Sequence, residues 1–99
     1  MSIMSVLSYM IIISYDISDD KIRGRFSKML TKNGAIRLQY SVYEVNNTKR
    51  ILDTIIMKIE SRFRDKFSGA DSILIFTADN SKVIKYGNAI HRDKELLIL

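Results

Sequence analysis

The fold is decided by residues 10–16, which read MIIISYD. The apolar part is rich in β-branched side chains and is bounded by polar residues, which is typical of a strand buried on both faces. We therefore predict a central strand over residues 6–15, with Asp16 directly at its end. A side chain at that position is held at the edge of a rigid sheet, where functional residues often lie.

A helix is predicted after this strand, because the next apolar residues recur at helical spacing. They are Ile22, Phe26, Met29 and Leu30. Ser18 or Asp19 is expected to accept hydrogen bonds from the first amides, and Asn33-Gly34 is expected to end the helix.

Residues 35–45 alternate with a period of two, which predicts a strand. One side carries Ile36, Leu38, Tyr40 and Val42, and the other carries Arg37, Gln39, Ser41 and Tyr43. The run is long enough to bend as one strand or to break into two near Gln39-Tyr40, and both alternatives stay open. We expect the polar side to be a bare face of the sheet that a second copy of the chain covers.

A second helix is predicted over residues 48–66, capped by Asn47 or Thr48 and ended by Ser68-Gly69. Its buried stripe is predicted to be Ile51, Leu52, Ile55, Ile56, Ile59, Phe63 and Phe67. Three further strands are predicted, over residues 72–77, 82–86 and 96–99.

This order of elements predicts an α+β fold, a ferredoxin-like sandwich (βαββαβ) with an additional C-terminal strand. The 99 residues suit a single domain, residues 1–99, in which residues 1–8 are an N-terminal extension. Residues 94–99 would be a poor free tail, so we expect this strand to pair with a sheet edge or to be exchanged with the partner of a homodimer.

The composition favours a polyanionic partner. Sixteen Lys and Arg against eleven Asp and Glu give a net charge of +5, which favours nucleic acid. The chain has no Cys, which excludes disulfides, thiolate metal sites and a cysteine nucleophile. Its longest apolar run is far below the ~20 residues that a membrane span needs. We expect a cytoplasmic protein with no membrane contact.

Asp16 is the candidate for chemistry at the sheet edge. Asp19 and Asp20 are interpreted as helix-capping residues. One carboxylate makes a weak Mg²⁺ site, since divalent ions of this kind take several oxygen ligands. A two-fold axis that brought two copies of Asp16 together would create one shared site per dimer.

The cations near Asp16 divide into two groups. Arg23, Arg25 and Arg37 are suited to bidentate contact with phosphate, whereas Lys21, Lys28 and Lys32 are interpreted as a solvated helix surface. Tyr15 and Tyr43 are candidates for stacking on bases, although tyrosines on sheet faces are more often packing residues.

Three segments occur in a characteristic order and spacing. They are YDISDDK at residues 15–21 followed by Arg23 and Arg25, GAIRLQYSVYE at residues 34–44, and DSILIF at residues 71–76. This set strongly resembles the small CRISPR-associated protein two family, the lesser subunit of the spacer-acquisition machinery. The resemblance covers nearly the whole chain after its first few residues.

The resemblance implies a homodimer with C-terminal strand exchange, a Mg²⁺-dependent endonuclease described as an endoribonuclease, and assembly with the CRISPR integrase subunit. Asp16 matches the metal-binding and catalytic aspartate of that family. The accessory positions match Tyr15, Arg23, Arg25, Arg37 and Tyr43, and at Tyr43 many members have Phe.

Two functions remain open at this point. In the first, paired Asp16 residues hold Mg²⁺ and the dimer cleaves phosphodiester bonds in RNA or DNA. In the second, the dimer is a structural bridge that binds DNA through its backbone charge and joins integrase subunits without catalysis.

Overall fold

The computed structural model describes residues 9–46 and 48–90, apart from the side chains of Asn88 and Ile90. The elements are β1 (Tyr9–Asp16), α1 (Asp20–Lys32), β2 (Ile36–Gln39), β3 (Val42–Asn46), α2 (Lys49–Lys58) and β4 (Ser72–Asp79). The predicted order βαββαβ is therefore confirmed. The extension at residues 1–8, the cap at Asn47 and the strand predicted within residues 94–99 lie outside the described residues.

The four strands form one antiparallel sheet in the order β2-β3-β1-β4. β1 lies inside the sheet, so that Ile13 pairs with Tyr43 on one side and with Ile75 on the other. The architecture is α+β and compatible with a ferredoxin-like fold. The apolar, β-branched sequence of β1 is explained by this central position.

The core lies between the sheet and the two helices. Every second residue of β1 faces the helices, and Ile11 and Ile13 are fully buried there together with Phe26 and Ile55. Because successive strand residues point to opposite faces, Ile12 and Ser14 lie on the other side of the sheet. We call that side, away from α1 and α2, the open face.

The ends of α1 follow the prediction. The Asp19 carboxylate accepts hydrogen bonds from the backbone N–H groups of Lys21 (2.9 Å) and Ile22 (3.0 Å). At the other end Gly34 has a φ of 86°, in the left-handed region that favours glycine.

The second helical segment is less regular than predicted. The Thr48 hydroxyl caps α2 by accepting from the Ile51 N–H at 3.3 Å. After Lys58 the chain continues as a π-helical turn (Ile59–Phe63) and a 3-10 turn (Arg64–Lys66). The prediction that Ile56 is buried was wrong, since it is 41% exposed. The fully buried Ile55 faces the core, and the next residue is turned by about 100° from it.

The run over residues 35–45 breaks into two strands. The break is the turn at Tyr40-Ser41, where Ser41 has a φ of 64°. The register also shifts between Arg37, which pairs with Tyr43, and Gln39, which pairs with Val42. A shift of this kind moves side chains from one face to the other.

The prediction of a bare polar face was therefore wrong. Tyr43 is only 3% exposed and belongs to the core under the helices, and its cross-strand partner Arg37 shares that side of the sheet. Tyr40, expected on the apolar side, lies in the turn and is 68% exposed. The open face instead exposes Leu74 and Phe76, so it is apolar.

The prediction of a strand over residues 82–86 was also wrong. The Asp79 carboxylate accepts from the Ser81 N–H at 2.9 Å and starts a 3-10 turn, Asn80–Lys82, which takes the chain off the edge of β4. Lys85 then binds Glu44 of β3 at 2.9 Å. Since Glu44 pairs with Ile12, this ion pair carries the segment over the open face, where it forms no strand ladder.

Candidate nucleic-acid cleft and sheet-edge aspartate

A cleft of about 250 Å³ opens between the first half of α1 and the turn at Tyr40-Ser41. It is lined by Tyr15, Asp20, Arg23, Gly24, Ser27, Arg37, Tyr40, Ser41 and Tyr43. Four of the residues predicted from the sequence, Tyr15, Arg23, Arg37 and Tyr43, meet here. We call it the tyrosine cleft.

The inner wall of the tyrosine cleft is a pair of buried tyrosines. The rings of Tyr15 and Tyr43 stack with their centroids 6.0 Å apart, and the Tyr43 and Ser27 hydroxyls are hydrogen-bonded to each other. Burial, and then the neighbouring Tyr43, raise the pKa of Tyr15 to about 12. Both rings are more than nine-tenths buried, so they are packing residues and offer no platform for a base.

Arg23 is fixed at the mouth of the tyrosine cleft. Its Nη1 donates to the Ile17 carbonyl at 3.0 Å, and its Nη2 forms an ion pair with Asp20 one turn earlier on α1. The hydrogen bond to Asp20 raises the pKa of Arg23. These contacts connect α1 to the loop after β1 and hold the guanidinium in one place.

Arg37 forms the opposite wall. Its guanidinium lies over the Tyr40 ring, 5.5 Å from the centroid, a cation–π contact. Its Nε donates to the Gln39 carbonyl at 3.4 Å. No carboxylate of the described residues lies within 4.0 Å of this guanidinium, so its charge is available to an anion.

The turn between these walls is tied to β1 by the backbone. The Tyr15 N–H donates to the Ser41 carbonyl at 3.0 Å. The positive φ of Ser41 is uncommon for a residue with a side chain, and this conformation aims its carbonyl at β1.

Asp16 is exposed and lies outside the tyrosine cleft. Since Tyr15 faces the helices, Asp16 faces the other way at the end of β1, opposite Ser72 of β4. It therefore shares the open face with Leu74 and Phe76. Within residues 9–46 and 48–90, no group of three His, Cys, Asp or Glu side chains could hold a metal ion.

The loop after Asp16 is held by Asp71, which precedes β4. The Asp71 carboxylate accepts from the N–H and the hydroxyl of Ser18, both at 2.9 Å, and from the Ser68 N–H at 2.9 Å. These bonds, the backbone bond from Ser18 above all, lower the pKa of Asp71 to about 2. The loop that carries Asp16 into α1 is thereby fixed to the start of the edge strand β4, which lies beside Asp16 in the sheet.

Arg25 is placed apart from the other predicted residues. It lies on the flank of α1 that faces α2, whereas Arg23 lines the tyrosine cleft. Ser27 and Tyr40 also line the tyrosine cleft but were not among the site residues predicted from the sequence. Ser27 stands four residues after Arg23 and so shares its flank, a signal that could have been used. No sequence signal identified Tyr40, because strict alternation placed it on the apolar side of the predicted strand.

A family model described as CRISPR associated protein Cas2 matches residues 9–85. The match includes every side chain of the tyrosine cleft, Asp16 and Asp71. A search of curated proteins found no match. No helix in the described part of the chain is long and apolar enough to cross a membrane.

Proposed function

The chain belongs to the CRISPR-associated protein Cas2 family, and from this membership we propose that it acts in CRISPR adaptation as a homodimer that binds nucleic acid and bridges integrase subunits. The observation that carries the proposal is the tyrosine cleft inside the matched region. It presents two guanidiniums, Arg23 and Arg37, on walls fixed by the fold.

Phosphate is the group that such a cleft would recognise. A guanidinium presents a fork of N–H donors that matches two phosphate oxygens. Tyr15 and Tyr43 are buried and offer no surface for stacking, and the exposed Tyr40 ring is already in contact with the Arg37 guanidinium. Contact with the sugar-phosphate backbone is therefore favoured over the reading of bases. Binding is then expected to tolerate changes of sequence and to weaken with salt.

Dimerisation is proposed to use the open face. Leu74 is 61% exposed and Phe76 is 45% exposed on β4, and Ile84 and Tyr86 are 79% and 84% exposed in the segment that follows. An apolar patch of this kind is typical of a protein interface. In a dimer with its two-fold axis through this face, each protomer would cover the patch of the other. Both Asp16 side chains would then lie on the side of the sheet where the protomers meet.

The binding proposal is tested with Arg37→Gln and the matched control Lys66→Gln, an exposed cation outside the tyrosine cleft. Fluorescence anisotropy of a labelled DNA duplex is measured over a range of salt concentrations. The slope of log K against log salt is negative, and loss of one phosphate contact should reduce its magnitude by about 0.9. The control should keep the wild-type slope, and equal slopes for both variants would contradict a role for the cleft.

A second function, cleavage of phosphodiester bonds, is favoured by the exposed position of Asp16 on the open face. In a dimer joined through that face, Asp16 of each protomer would supply carboxylate oxygens to one shared Mg²⁺ site. A bound Mg²⁺ would offset charge on the phosphate and activate water.

Asp16→Asn separates the two functions. The substitution preserves size and removes the charge that a metal site needs, so Mg²⁺-dependent cleavage of RNA and DNA by the purified dimer should be abolished. Duplex binding should be unchanged, because Asp16 lies outside the tyrosine cleft. Cleavage that persists in Asp16→Asn, without contaminating nuclease in a mock purification, would contradict the proposed catalytic role.

A further inference from the structure

A second concave surface, which we call the basic groove, lies between α1 and the end of the second helical segment. Its volume is about 260 Å³, and it is lined by Arg25, Lys28, Met29, Lys32, Lys58, Arg62 and Phe63. It shares no residue with the tyrosine cleft. The two concave surfaces occupy different flanks of α1.

The basic groove contains cations and no carboxylate. None of its five Lys and Arg side chains forms an ion pair with an acidic residue of the described part of the chain. The nearby carboxylate of Glu60 is bound by Arg64 at 2.6 Å. The tyrosine cleft, by contrast, includes Asp20 beside its two arginines.

Positive charge is concentrated in the basic groove. Five of the sixteen Lys and Arg residues of the chain line it, and no Asp or Glu does. This concentration in one concave surface produces a local positive potential that attracts polyanions.

The cations lie in two facing rows. On α1, Arg25, Lys28 and Lys32 are spaced by three and four residues and so share one flank. Lys58 and Arg62 form the second row at the junction of α2 and its π-helical turn. Attraction to the C-terminal end of α1 would explain Lys32, but this effect is confined to the last turn and does not reach Arg25.

The row on α1 matches the spacing of a nucleic-acid backbone. Seven residues of helix rise about 10 Å, and phosphates of one strand follow each other at about 3.4 Å along a duplex axis, so the row spans about three phosphates. An acidic peptide fits less well, because peptides usually add apolar anchors. The two apolar residues of the groove, Met29 and Phe63, are each only 6% exposed and leave no anchor pocket.

We infer that the basic groove is a second binding site for a sugar-phosphate backbone, so that each protomer contacts nucleic acid on two separate flanks of α1. The inference rests on the proposed nucleic-acid function and adds a site to it. It also changes the interpretation of Lys28 and Lys32 from solvated surface residues to phosphate ligands.

The test uses the full-length chain with Lys28→Gln and Arg62→Gln combined, one residue from each row. The matched control combines Lys66→Gln with Arg50→Gln, which removes the same charge from exposed positions outside both concave surfaces. Anisotropy is measured with labelled DNA and RNA duplexes of about 30 base pairs over a salt series, and the magnitude of the salt slope should fall by about 1.8 in the groove variant alone. A fall with DNA, RNA or both supports the site and identifies the nucleic acid that it binds. Melting curves establish that both variants are folded.

Three results would overturn the inference, and they are distinguishable. Equal slopes for the groove variant and its control, with wild-type binding intact, would exclude the basic groove as a binding site and leave the proposed function unaffected. A wild-type chain that binds neither duplex would contradict both the groove site and the proposed function. Retained duplex binding with loss of poly-glutamate binding in the groove variant would assign the surface to an acidic peptide.

Discussion

Tyr15 and Asp16 are adjacent in the sequence but serve opposite sides of the sheet. Alternation along β1 directs the Tyr15 ring under the helices and exposes Asp16 on the open face. The hydroxyl that contributes to the tyrosine cleft is consequently separated from the carboxylate proposed for metal binding. Asp16→Asn therefore tests cleavage without removing a side chain of the tyrosine cleft.

Tyr15→Phe should change stability in alkali. The folded-state pKa of about 12 lies above the ordinary 10.0, so the stabilisation is complete below about pH 10 and is lost as the pH rises toward about 12. The melting temperature of the wild type should therefore fall more steeply between these values than that of Tyr15→Phe. The control is Tyr86→Phe, at a ring that is 84% exposed. Parallel curves for wild type and Tyr15→Phe would contradict the assignment.

Asp71→Asn should show the opposite pH dependence. The folded-state pKa of about 2 lies below the ordinary 3.8, so the stabilisation is complete above about pH 4 and is lost as the pH falls toward about 2. The variant should melt at a lower temperature at neutral pH and should lose less stability in acid. Thermal melts of Asp65→Asn, an exposed carboxylate in the 3-10 turn, provide the control, and this control should follow the wild type.

Helices, strands and caps that depend only on neighbouring residues were predicted from the sequence. β1, α1 and the caps at Asp19 and Thr48 follow from local apolar spacing and side-chain chemistry. The faces of β2 and β3 depend on a register shift and on the φ of Ser41, which tertiary pairing determines. The path of residues 82–86 depends on an ion pair with Glu44, which is distant in sequence.

The Asp19 cap can be tested within α1. Asp19→Ala removes the acceptor of two backbone N–H groups and should lower the free energy of unfolding by about 1 kcal/mol. Asp19→Asn retains an acceptor oxygen and should restore most of that stability. Urea denaturation measures both variants, and equal stability of the Ala and Asn variants would show that the cap contributes little.

For the candidate site, the sequence supplied candidate residues but not their arrangement in space. Arg23, Arg37, Tyr15 and Tyr43, which the resemblance gave as accessory positions, line one cleft. The separation of Arg25 from Arg23 follows from their angular positions on α1 and from the packing of α2 beside it. The basic groove joins two helices that are distant in sequence, so only the tertiary structure assembles it.

The whole molecule presents two kinds of surface on opposite sides of one sheet. The helical side carries the tyrosine cleft and the basic groove, and the open face carries exposed apolar residues with Asp16 at its edge. This division suits a dimer that joins through its open faces and keeps its cationic surfaces accessible to nucleic acid.

Leu74→Lys should disrupt the proposed dimer. A lysine at this position would be buried without a partner in the interface, which is costly. Sedimentation equilibrium should give a dimer for the wild type and a monomer for the variant. Met57→Lys is the control, because Met57 is similarly exposed (56%, against 61% for Leu74) but lies on α2. A wild type that sediments as a monomer, or a dimer unaffected by Leu74→Lys, would contradict this interface.

We propose that the chain serves adaptation as a nucleic-acid-binding bridge whether or not Asp16 supports cleavage. The most direct measurement is the frequency of spacer acquisition in cells that carry the integrase, a repeat array and either the wild-type chain or Asp16→Asn. Acquisition should remain at the wild-type level with Asp16→Asn. A fall to the level of cells that lack the chain, while the purified variant still dimerises and binds DNA, would contradict the claim.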